Sequence, residues 1–284
     1  MKKLRISPFF LLLFFTFFSY SQDYNFNVFK IPVDLIKNAN SVIRFENISI
    51  DIKSKREMII NYEVAITIFN KLADNFADIT IHYDNRRSIS GVKAYIYNAK
   101  GKEIKKVKKS EFKDYSAFDG ISLHNDGRLI HYEHTAITYP YTVYYKYEIK
   151  TSNTAFIPRW ILNSSFFQSI EKSDFTIKYP ETITLFKSEK NFNGFEVNKI
   201  EKSGFLSYKI NHIQAIKKEP YIPTLIKILP TVKFGINKFN LEGVDGEATN
   251  WSVFGKWYYD NLIKTTLDLP DDTKLKIKNL TSEV

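Results

Sequence analysis

Apolar and polar residues alternate with a period of two through the middle of the chain. Within residues 59–70, the apolar positions that share one face are Ile60, Tyr62, Val64, Ile66 and Ile68. The same alternation recurs in residues 76–83, 141–150 and 175–180, where many of the apolar residues are β-branched or aromatic. Because successive side chains of a strand point to opposite faces, each of these segments is predicted to be a half-buried β-strand.

Turn signals separate the predicted strands. The run from Asn98 to Gly101 is typical of a hairpin connection, and Ser203-Gly204 precedes another alternating segment. Asn193-Gly194 predicts a tighter hairpin, because such turns need positive φ at both central residues. No helical crossover pattern lies between the alternating segments, which argues against a parallel α/β sheet. The sequence therefore predicts a mainly β fold, an antiparallel β-sandwich built as one unit or as two sub-sandwiches, followed by short C-terminal helices.

The composition of the chain changes after about residue 213. An apolar stretch there is interrupted by Pro220, Pro223 and Pro230. This pattern predicts an extended segment that crosses the domain, and residues 241–250 are predicted to be a loop. Helical spacing of apolar residues begins near Trp251, with Thr249 or Asn250 as the N-cap, and a second helix is predicted to start at Pro270.

The N-terminus has the order of a secretory signal peptide. Basic residues lie within the first five positions, the apolar run Phe9–Phe18 follows, and small residues lead to Ser21. We predict cleavage after Ser21, with a retained N-terminal anchor as the alternative. The apolar run is shorter than the roughly 20 residues that span a bilayer, so no transmembrane segment is expected in the mature chain.

These patterns together predict four parts of the chain. Residues 1–21 are expected to be the signal peptide, and residues 22–213 a β-sandwich accessory domain. Residues 214–250 are expected to form a Pro-containing extended linker, and residues 251–284 a pair of helices.

Charge and cysteine content restrict the functions that are open to the chain. The formal net charge is +10, and there are no cysteines. For an exported protein of this charge, anionic lipid headgroups or acidic polysaccharide are more natural partners than nucleic acid, although dispersed lysines also keep a sheet protein soluble. Without cysteine there is no disulfide, no lipid-carrying residue and no thiol nucleophile.

One cluster of residues resembles a metal site. Its members are His124, Asp126, His131, Glu133 and His134. On a strand, however, a spacing of three sends His131 and His134 to opposite faces, so ordinary surface histidines are the favoured interpretation. The sequence also contains no nucleophile-elbow motif and no Gly-rich phosphate loop. We therefore expect no catalytic residue, no metal and no cofactor.

Two sets of residues are candidates for an interaction surface. The first is a run of lysines on a predicted hairpin strand: Lys102, Lys105, Lys106, Lys108 and Lys109. These lysines could attract an anionic surface or a glycan, or they could block aggregation at the edge of a sheet, which is the favoured interpretation. The second set is aromatic and comprises Tyr139, Tyr141, Tyr144 and Tyr145, of which Tyr141 and Tyr144 are the candidate site residues. Exposed rings there would favour glycan binding, whereas the alternative is that they fill the core.

Several short motifs resemble, in the same order, the uncharacterised β-rich domain that precedes transglutaminase-like domains in exported bacterial proteins. They are Gly101-Lys102-Glu103-Ile104, Asp114-Tyr115-Ser116-Ala117, Asp126-Gly127-Arg128, residues 139–148 and residues 153–160. Residues 250–262 and 269–284 resemble the linker helices that lead into the transglutaminase-like core. The resemblance covers the chain from about residue 40 to Val284.

The resemblance implies a non-catalytic accessory or interaction domain. In that family a Cys-His-Asp domain of papain-like type follows the linker helices, and none of its catalytic residues can be assigned in this chain. Val284 would then be a truncation point or the end of one half of a split gene. The partner would be a protein that carries the transglutaminase-like domain, or a cell-envelope glycan. Two alternatives are open, namely the N-terminal part of a cysteine-dependent peptidase or amidase whose catalytic domain is encoded separately, and an independent glycan-binding module. The expected location is the periplasm or the outside of the cell.

Overall fold

The structure is a computed structural model that describes residues 24–117, 126–162, 165–264 and 269–282. The strands within these ranges are β1 Ser41–Ser54, β2 Glu57–Ile68, β3 Ile79–Tyr83, β4 Arg87–Asn98, β5 Glu103–Val107, β6 Lys113–Ser116, β7 Arg128–Tyr132, β8 Tyr141–Thr151, β9 Trp160–Ile161, β10 Gln168–Lys178, β11 Leu185–Lys190, β12 Asn198–Lys202, β13 Phe205–Ile213, β14 Thr231–Ile236, β15 Lys238–Leu241 and β16 Val244–Glu247. The α-helices in these ranges are α1 Val33–Ile36, α2 Trp251–Tyr258 and α3 Asp271–Thr281. The predicted signal peptide lies outside the described residues.

The largest sheet in the described ranges has eight strands, in the order β12-β13-β10-β1-β2-β8-β4-β5. Its neighbouring strands are antiparallel except for β1 and β10, which run parallel. The register places Gln168, Ser41, Ile68, Tyr141 and Asn98 side by side across five strands. We call the strand ends that carry these residues the first end of the sheet, and the opposite strand ends the second end.

One face of the large sheet, which we call the inner face, carries the main core. It is covered by two three-stranded sheets, β3-β7-β6 and β11-β14-β9, and by the hairpin of β15 and β16. Phe175 of β10 stacks on Phe234 of β14 with ring centroids 4.8 Å apart. The alternation predicted for β2 and β8 follows from this arrangement, because the apolar residues at alternate positions, such as Val64 and Val143, point to the inner face. The prediction of a mainly β, antiparallel fold is confirmed.

The opposite, outer face is covered near the first end by the N-terminal segment, residues 24–40. Phe26 packs there against Phe45 and Tyr144. The backbone of this segment also touches the turn between β4 and β5, where Val28 N donates to Ala99 O at 2.9 Å. At Gly101 a Cβ atom would lie only 2.7 Å from Asn27 N, and φ is +80°, so the turn requires glycine.

Two details of the connections differ from the sequence prediction. Asn193-Gly194 does not close a hairpin, because β11 pairs with β14 whereas β12 pairs with β13. The tight turn with positive φ at both central residues is Glu242-Gly243, at 49° and 86°, and it joins β15 to β16. Residues 214–250 therefore are not a bare linker. They contain β14, β15 and β16, whose side chains Val232 and Phe239 are buried.

The C-terminal helices form as predicted. Asn250 caps α2, since its side-chain Oδ1 accepts from Val253 N at 3.0 Å. Trp257 of α2 packs edge-on against Phe239, with ring centroids 4.9 Å apart. The second helix, α3, has no buried residue within its described part. Among the described residues, every helix is too short or too polar to reach across a bilayer.

Candidate functional site

The inner face carries a carboxylate in its central region. Glu46 of β1 shares the face of Ile48, Ile50 and Ile52, since all four lie at a spacing of two. The same alternation in the sequence could have located Glu46 among core positions. A charged residue on an apolar face is uncommon unless it is paired or functional, so its surroundings matter.

Three tyrosines adjoin this carboxylate. The register sets Tyr62 of β2 opposite Tyr147 of β8, and Val64 opposite Tyr145. The ring centroids of Tyr62 and Tyr147 are 5.2 Å apart, those of Tyr62 and Tyr145 5.9 Å, and those of Tyr145 and Tyr147 6.4 Å. The three rings thus form a continuous aromatic surface beside Glu46.

This surface is half-buried, whereas the inner-face positions on either side of it are closed. Tyr62, Tyr145 and Tyr147 each retain partial solvent exposure, as does Glu46. Ile50 and Val143, on the same face, are fully buried. The two small sheets and the hairpin cover the inner face, and the three tyrosines pack against the main core with only part of each residue exposed. We call Glu46, Tyr62, Tyr145, Tyr147 and Ser173 the tyrosine site.

Hydrogen bonds hold the carboxylate in place. The Tyr62 hydroxyl donates to Glu46 Oε1 at 2.9 Å, and the Ser173 hydroxyl donates to Glu46 Oε2 at 3.3 Å. Trp160 Nε1 in turn donates to Ser173 Oγ at 3.1 Å. Within the described ranges no Lys or Arg forms an ion pair with Glu46, so hydroxyl groups alone satisfy it. A buried carboxyl group with only hydroxyl partners is stable in its neutral form, and its ionisation costs free energy.

Burial dominates the electrostatics of the site. It raises the pKa of Glu46 to about 7, and the hydrogen bonds from Tyr62 and Ser173 offset this effect only in part. Burial likewise raises the pKa of Tyr147 to about 12, with a further contribution from Glu46. The tyrosines therefore remain neutral donors at physiological pH, and Glu46 exists there as a mixture of acid and carboxylate.

An unsatisfied donor lies at the border of the tyrosine site. The Nε atom of Arg87, the first residue of β4, is buried and has no hydrogen-bond partner among the described residues. The positive charge of Arg87 lowers the pKa of Tyr147, against the effect of burial. A buried donor without an acceptor costs free energy, so a polar ligand atom at this position would be stabilising.

The arrangement offers contacts for binding a ligand. Ser173 is fully buried and receives a hydrogen bond from Trp160, so it has the contacts of a structural serine. The described residues contain no group of three His, Cys, Asp or Glu that could hold a metal ion. Flat aromatic rings beside a hydrogen-bonding carboxyl group are instead able to stack on and orient a polyhydroxylated ring.

Two lysines of the predicted run, Lys105 and Lys106, lie on β5, which is an edge strand of the large sheet. Lys105 points to the inner face and pairs with Glu111 at 2.7 Å, whereas Lys106 points to the outer face over the ring of Tyr95. The remaining members, Lys102, Lys108 and Lys109, are exposed. The run therefore does not form a single patch, and its role as an interaction surface stays a prediction.

The structure buries both predicted tyrosines and separates them. Tyr141 is 2% exposed on the inner face, and its hydroxyl donates to Asp74 at 3.3 Å. Tyr144 is 7% exposed on the outer face, and its hydroxyl donates to Glu63 at 2.5 Å. Neither ring is open to a ligand. Their neighbours Tyr145 and Tyr147, together with Tyr62, are half-buried and pack against the core.

The histidines do not converge. His131 lies on β7, where its Nδ1 is 2.9 Å from Thr80 Oγ1, whereas the ring of His134 packs against Tyr141 beyond the end of that strand. His124 lies outside the described residues.

One known protein family matches this chain. A domain of unknown function with solved structure, DUF3857, matches residues 55–217. The chain therefore belongs to the DUF3857 family. The match covers β2 through β13, which include the three tyrosines, whereas Glu46 lies just before it. A search of curated proteins finds no match.

Solved structures resemble the fold. A candidate protease from Parabacteroides distasonis is 15% identical, with 69% of this chain and 40% of that chain covered and a TM-score of 0.55. Aminopeptidase A of Legionella pneumophila, in complex with aspartic acid, is 13% identical over 70% and 22% of the two chains, with a TM-score of 0.31. Leukotriene A4 hydrolase of Saccharomyces cerevisiae is 11% identical over 87% and 37%, also at 0.31.

Only the first of these likenesses is close enough to describe the fold, and it shows the fold alone. This chain spans about 40% of the length of that solved chain.

Proposed function

We propose that the chain is an exported, non-catalytic accessory domain of a transglutaminase-like protein, and that it binds a glycan of the cell envelope at the tyrosine site. The observation that carries the proposal is the set of three adjoining tyrosine rings left half-buried in the middle of an otherwise closed core face. A sugar ring would stack on Tyr145 and Tyr147, and its hydroxyl groups would reach Glu46.

The chemistry of the site supports a neutral ligand. Glu46 has a pKa raised to about 7, so its carboxyl group both donates and accepts hydrogen bonds near neutral pH. The unpaired Arg87 Nε supplies a further donor at the border. Sugar hydroxyl groups match such a mixture of donors and acceptors, and the apolar face of a sugar ring matches aromatic side chains.

The test is retention of the purified protein on insoluble cell-wall material from the cells that produce it. Replacing Tyr145 and Tyr147 by Leu keeps the bulk of the core and removes the aromatic surface, so retention should fall at least tenfold. Tyr62→Phe keeps the ring and removes only the hydroxyl that positions Glu46. The matched control is Tyr95→Leu, which removes a half-buried tyrosine from the outer face of the same sheet and should leave retention unchanged.

Failure of the native protein to bind the wall material would overturn the glycan proposal. Equal loss in the Tyr95→Leu control would also count against it, because the effect would then be general. Circular dichroism of each variant establishes that it is folded, and Tyr62→Phe keeps the test informative if the double replacement unfolds.

The second candidate is the N-terminal part of a cysteine-dependent transglutaminase-like peptidase or amidase with a separately encoded catalytic domain. The exposed apolar side chains of α3, Leu275, Ile277 and Leu280, favour this candidate because they are available to pack against a partner. Copurification of a cysteine-containing protein from the native cells, and its loss in a Leu280→Ser variant, would support it. A native protein isolated alone would count against it.

A further inference from the structure

The segment from Val28 to Lys37 has apolar residues on two opposite sides. Its inward side chains, Val28, Ile31 and Leu35, are buried against Val42 of β1. Its outward side chains, Phe29 and Val33, are 80% and 83% exposed, and Ile36 is exposed as well. The inward side chains attach the segment to the fold by packing in the core. The outward apolar side chains are not part of the described core.

The segment is firmly held. The main-chain carbonyl of Leu35 accepts a hydrogen bond from the Ser169 hydroxyl at 2.6 Å, and Val28 N donates to Ala99 O at 2.9 Å. Strand β10 and the turn between β4 and β5 thus fix it at the first end. The outward apolar side chains therefore project from a rigid base.

A further exposed apolar residue, Leu72, lies at the first end. Asn70, just after β2, donates through Nδ2 to Asn40 Oδ1 at 3.0 Å, and its own Oδ1 accepts from Leu72 N at 3.0 Å. This network sets Leu72 next to the end of the N-terminal segment, with a side chain that is 79% exposed. The exposed apolar residues thus come from both sides of the strand pair β1 and β2.

Lysines surround this apolar group. The exposed lysines of the segment and of the neighbouring turns at the first end are Lys30, Lys37, Lys71, Lys100 and Lys102. Among the described residues, none of the five forms an ion pair. The acidic residue in the segment, Asp34, is engaged by His212 and by Gln214. We call these five lysines with Phe29, Val33, Ile36 and Leu72 the basic apolar end.

We propose that the basic apolar end docks on an anionic lipid surface. Apolar side chains on a rigid base enter the boundary between headgroups and acyl chains, while unpaired lysines contact anionic headgroups. A protein partner would be expected to leave some lysines opposite acids, whereas a membrane supplies negative charge along the whole surface. The docking is peripheral, since it uses side chains at the edge of the fold. It is independent of the tyrosine site, which lies on the inner face.

The experiment is cosedimentation of the purified exported protein with vesicles of phosphatidylglycerol and phosphatidylcholine, and with vesicles of phosphatidylcholine alone. We expect binding to the anionic vesicles that weakens as salt is added. Lysine near an anionic surface strengthens binding by about fivefold, so Lys30→Gln with Lys37→Gln should weaken it about 25-fold. Phe29→Ser with Val33→Ser removes two exposed apolar side chains and should weaken binding at least about tenfold.

Matched controls come from the second end of the sheet. Lys178 and Lys202 are exposed there without an ion pair among the described residues, so Lys178→Gln with Lys202→Gln removes the same charge from the other end. Phe156 is 65% exposed, and Phe156→Ser removes a comparable ring near β15. All four test and control changes lie on the surface, so the fold should survive each of them.

The outcomes separate the proposal from its rivals. Loss of binding in the first-end variants with retention in the controls supports it. Equal loss in both pairs would overturn it, because binding would then depend on total charge. Absence of binding to anionic vesicles would overturn it too, and so would equal binding to the neutral vesicles. A protein dimer that Phe29→Ser with Val33→Ser dissociates, without vesicle binding, would assign the surface to a second copy instead.

Discussion

The replacement Glu46→Gln tests the electrostatics of the tyrosine site most directly. Glutamine has the shape of the protonated acid and can keep the hydrogen bonds to Tyr62 and Ser173. It cannot ionise. The variant should therefore behave like the native protein when Glu46 is protonated, and differ from it when Glu46 is charged.

The magnitude follows from the pKa. Burial raises the pKa of Glu46 from 4.5 to about 7 in the folded state. Each pKa unit corresponds to about 1.4 kcal/mol, so ionisation of Glu46 costs the folded state about 3 kcal/mol at high pH, as an upper limit. Because the folded pKa is raised, the folded protein binds this proton more tightly than the unfolded chain does. The penalty is small below about pH 4.5, grows between pH 4.5 and pH 7, and is complete above that range.

The assay is urea denaturation of both proteins at pH 4.5 and at pH 8.5. The free energy of unfolding of Glu46→Gln should exceed that of the native protein by about 3 kcal/mol at pH 8.5, and by less than about 0.5 kcal/mol at pH 4.5. The control is Glu148→Gln on the outer face, where Ser90 donates to the carboxylate. That variant should not gain stability as pH rises.

A gain in Glu46→Gln that is the same at both pH values would refute the reasoning, because the stabilisation would then come from packing. A lower stability of the variant at pH 8.5 would also refute it. That result would mean that the carboxylate has a favourable partner in the folded protein.

Two further replacements test the positions that fix the fold. Gly101→Ala should lower the free energy of unfolding by about 2 kcal/mol, because its Cβ would meet Asn27 N at 2.7 Å, whereas Gly91→Ala, with no atom within 4 Å, should cost only about 1 kcal/mol in urea denaturation. Asp245→Asn should cost about 1 kcal/mol at pH 7, since Arg56, Lys55 and Asn240 hold the pKa of Asp245 well below its usual range. The difference should shrink as pH falls below about 4, because the unfolded chain then takes up the proton while the folded carboxylate stays ionised until its own, lower pKa is reached, and a difference that is the same at pH 5 and at pH 2 would contradict this account.

The sequence predicts the large sheet because one physical rule governs it. Residues such as Val64 and Val143 alternate with polar neighbours, since one face of their strands packs in the core. The hairpin at Gly101 is equally readable, because few other residues adopt its backbone conformation. These signals are local, and tertiary packing reinforces them.

The features that the sequence does not predict depend on contacts between residues that are far apart in the chain. Three prolines near residue 220 suggest a linker, yet β14 joins β9 and β11, which are distant in sequence. The turn signal was assigned to Asn193-Gly194, although Glu242-Gly243 has the required conformation. Local composition does not determine which strand a given strand will pair with.

The tyrosine site shows the same limit in another form. The alternation in β8 places Tyr145 and Tyr147 on the inner face, but it cannot tell that Tyr141 on that face is sealed by the covering sheet. The sequence pattern identifies Glu46 as a core position. It does not reveal that Glu46 lacks a cationic partner. Exposure within a face is decided by what covers it, and that information belongs to the whole fold.

The position of β1 bears on the order in which the large sheet forms. This strand lies in the middle of the large sheet, between β2, which follows it at once, and β10. Hydrogen bonds such as that from Gln168 to Ser41 join residues 127 positions apart. Pairings of such separation close late, because the intervening chain must first lose a large amount of entropy. The central strand therefore stays half-paired until β10 joins it, so the large sheet is completed only after most of the chain has been made.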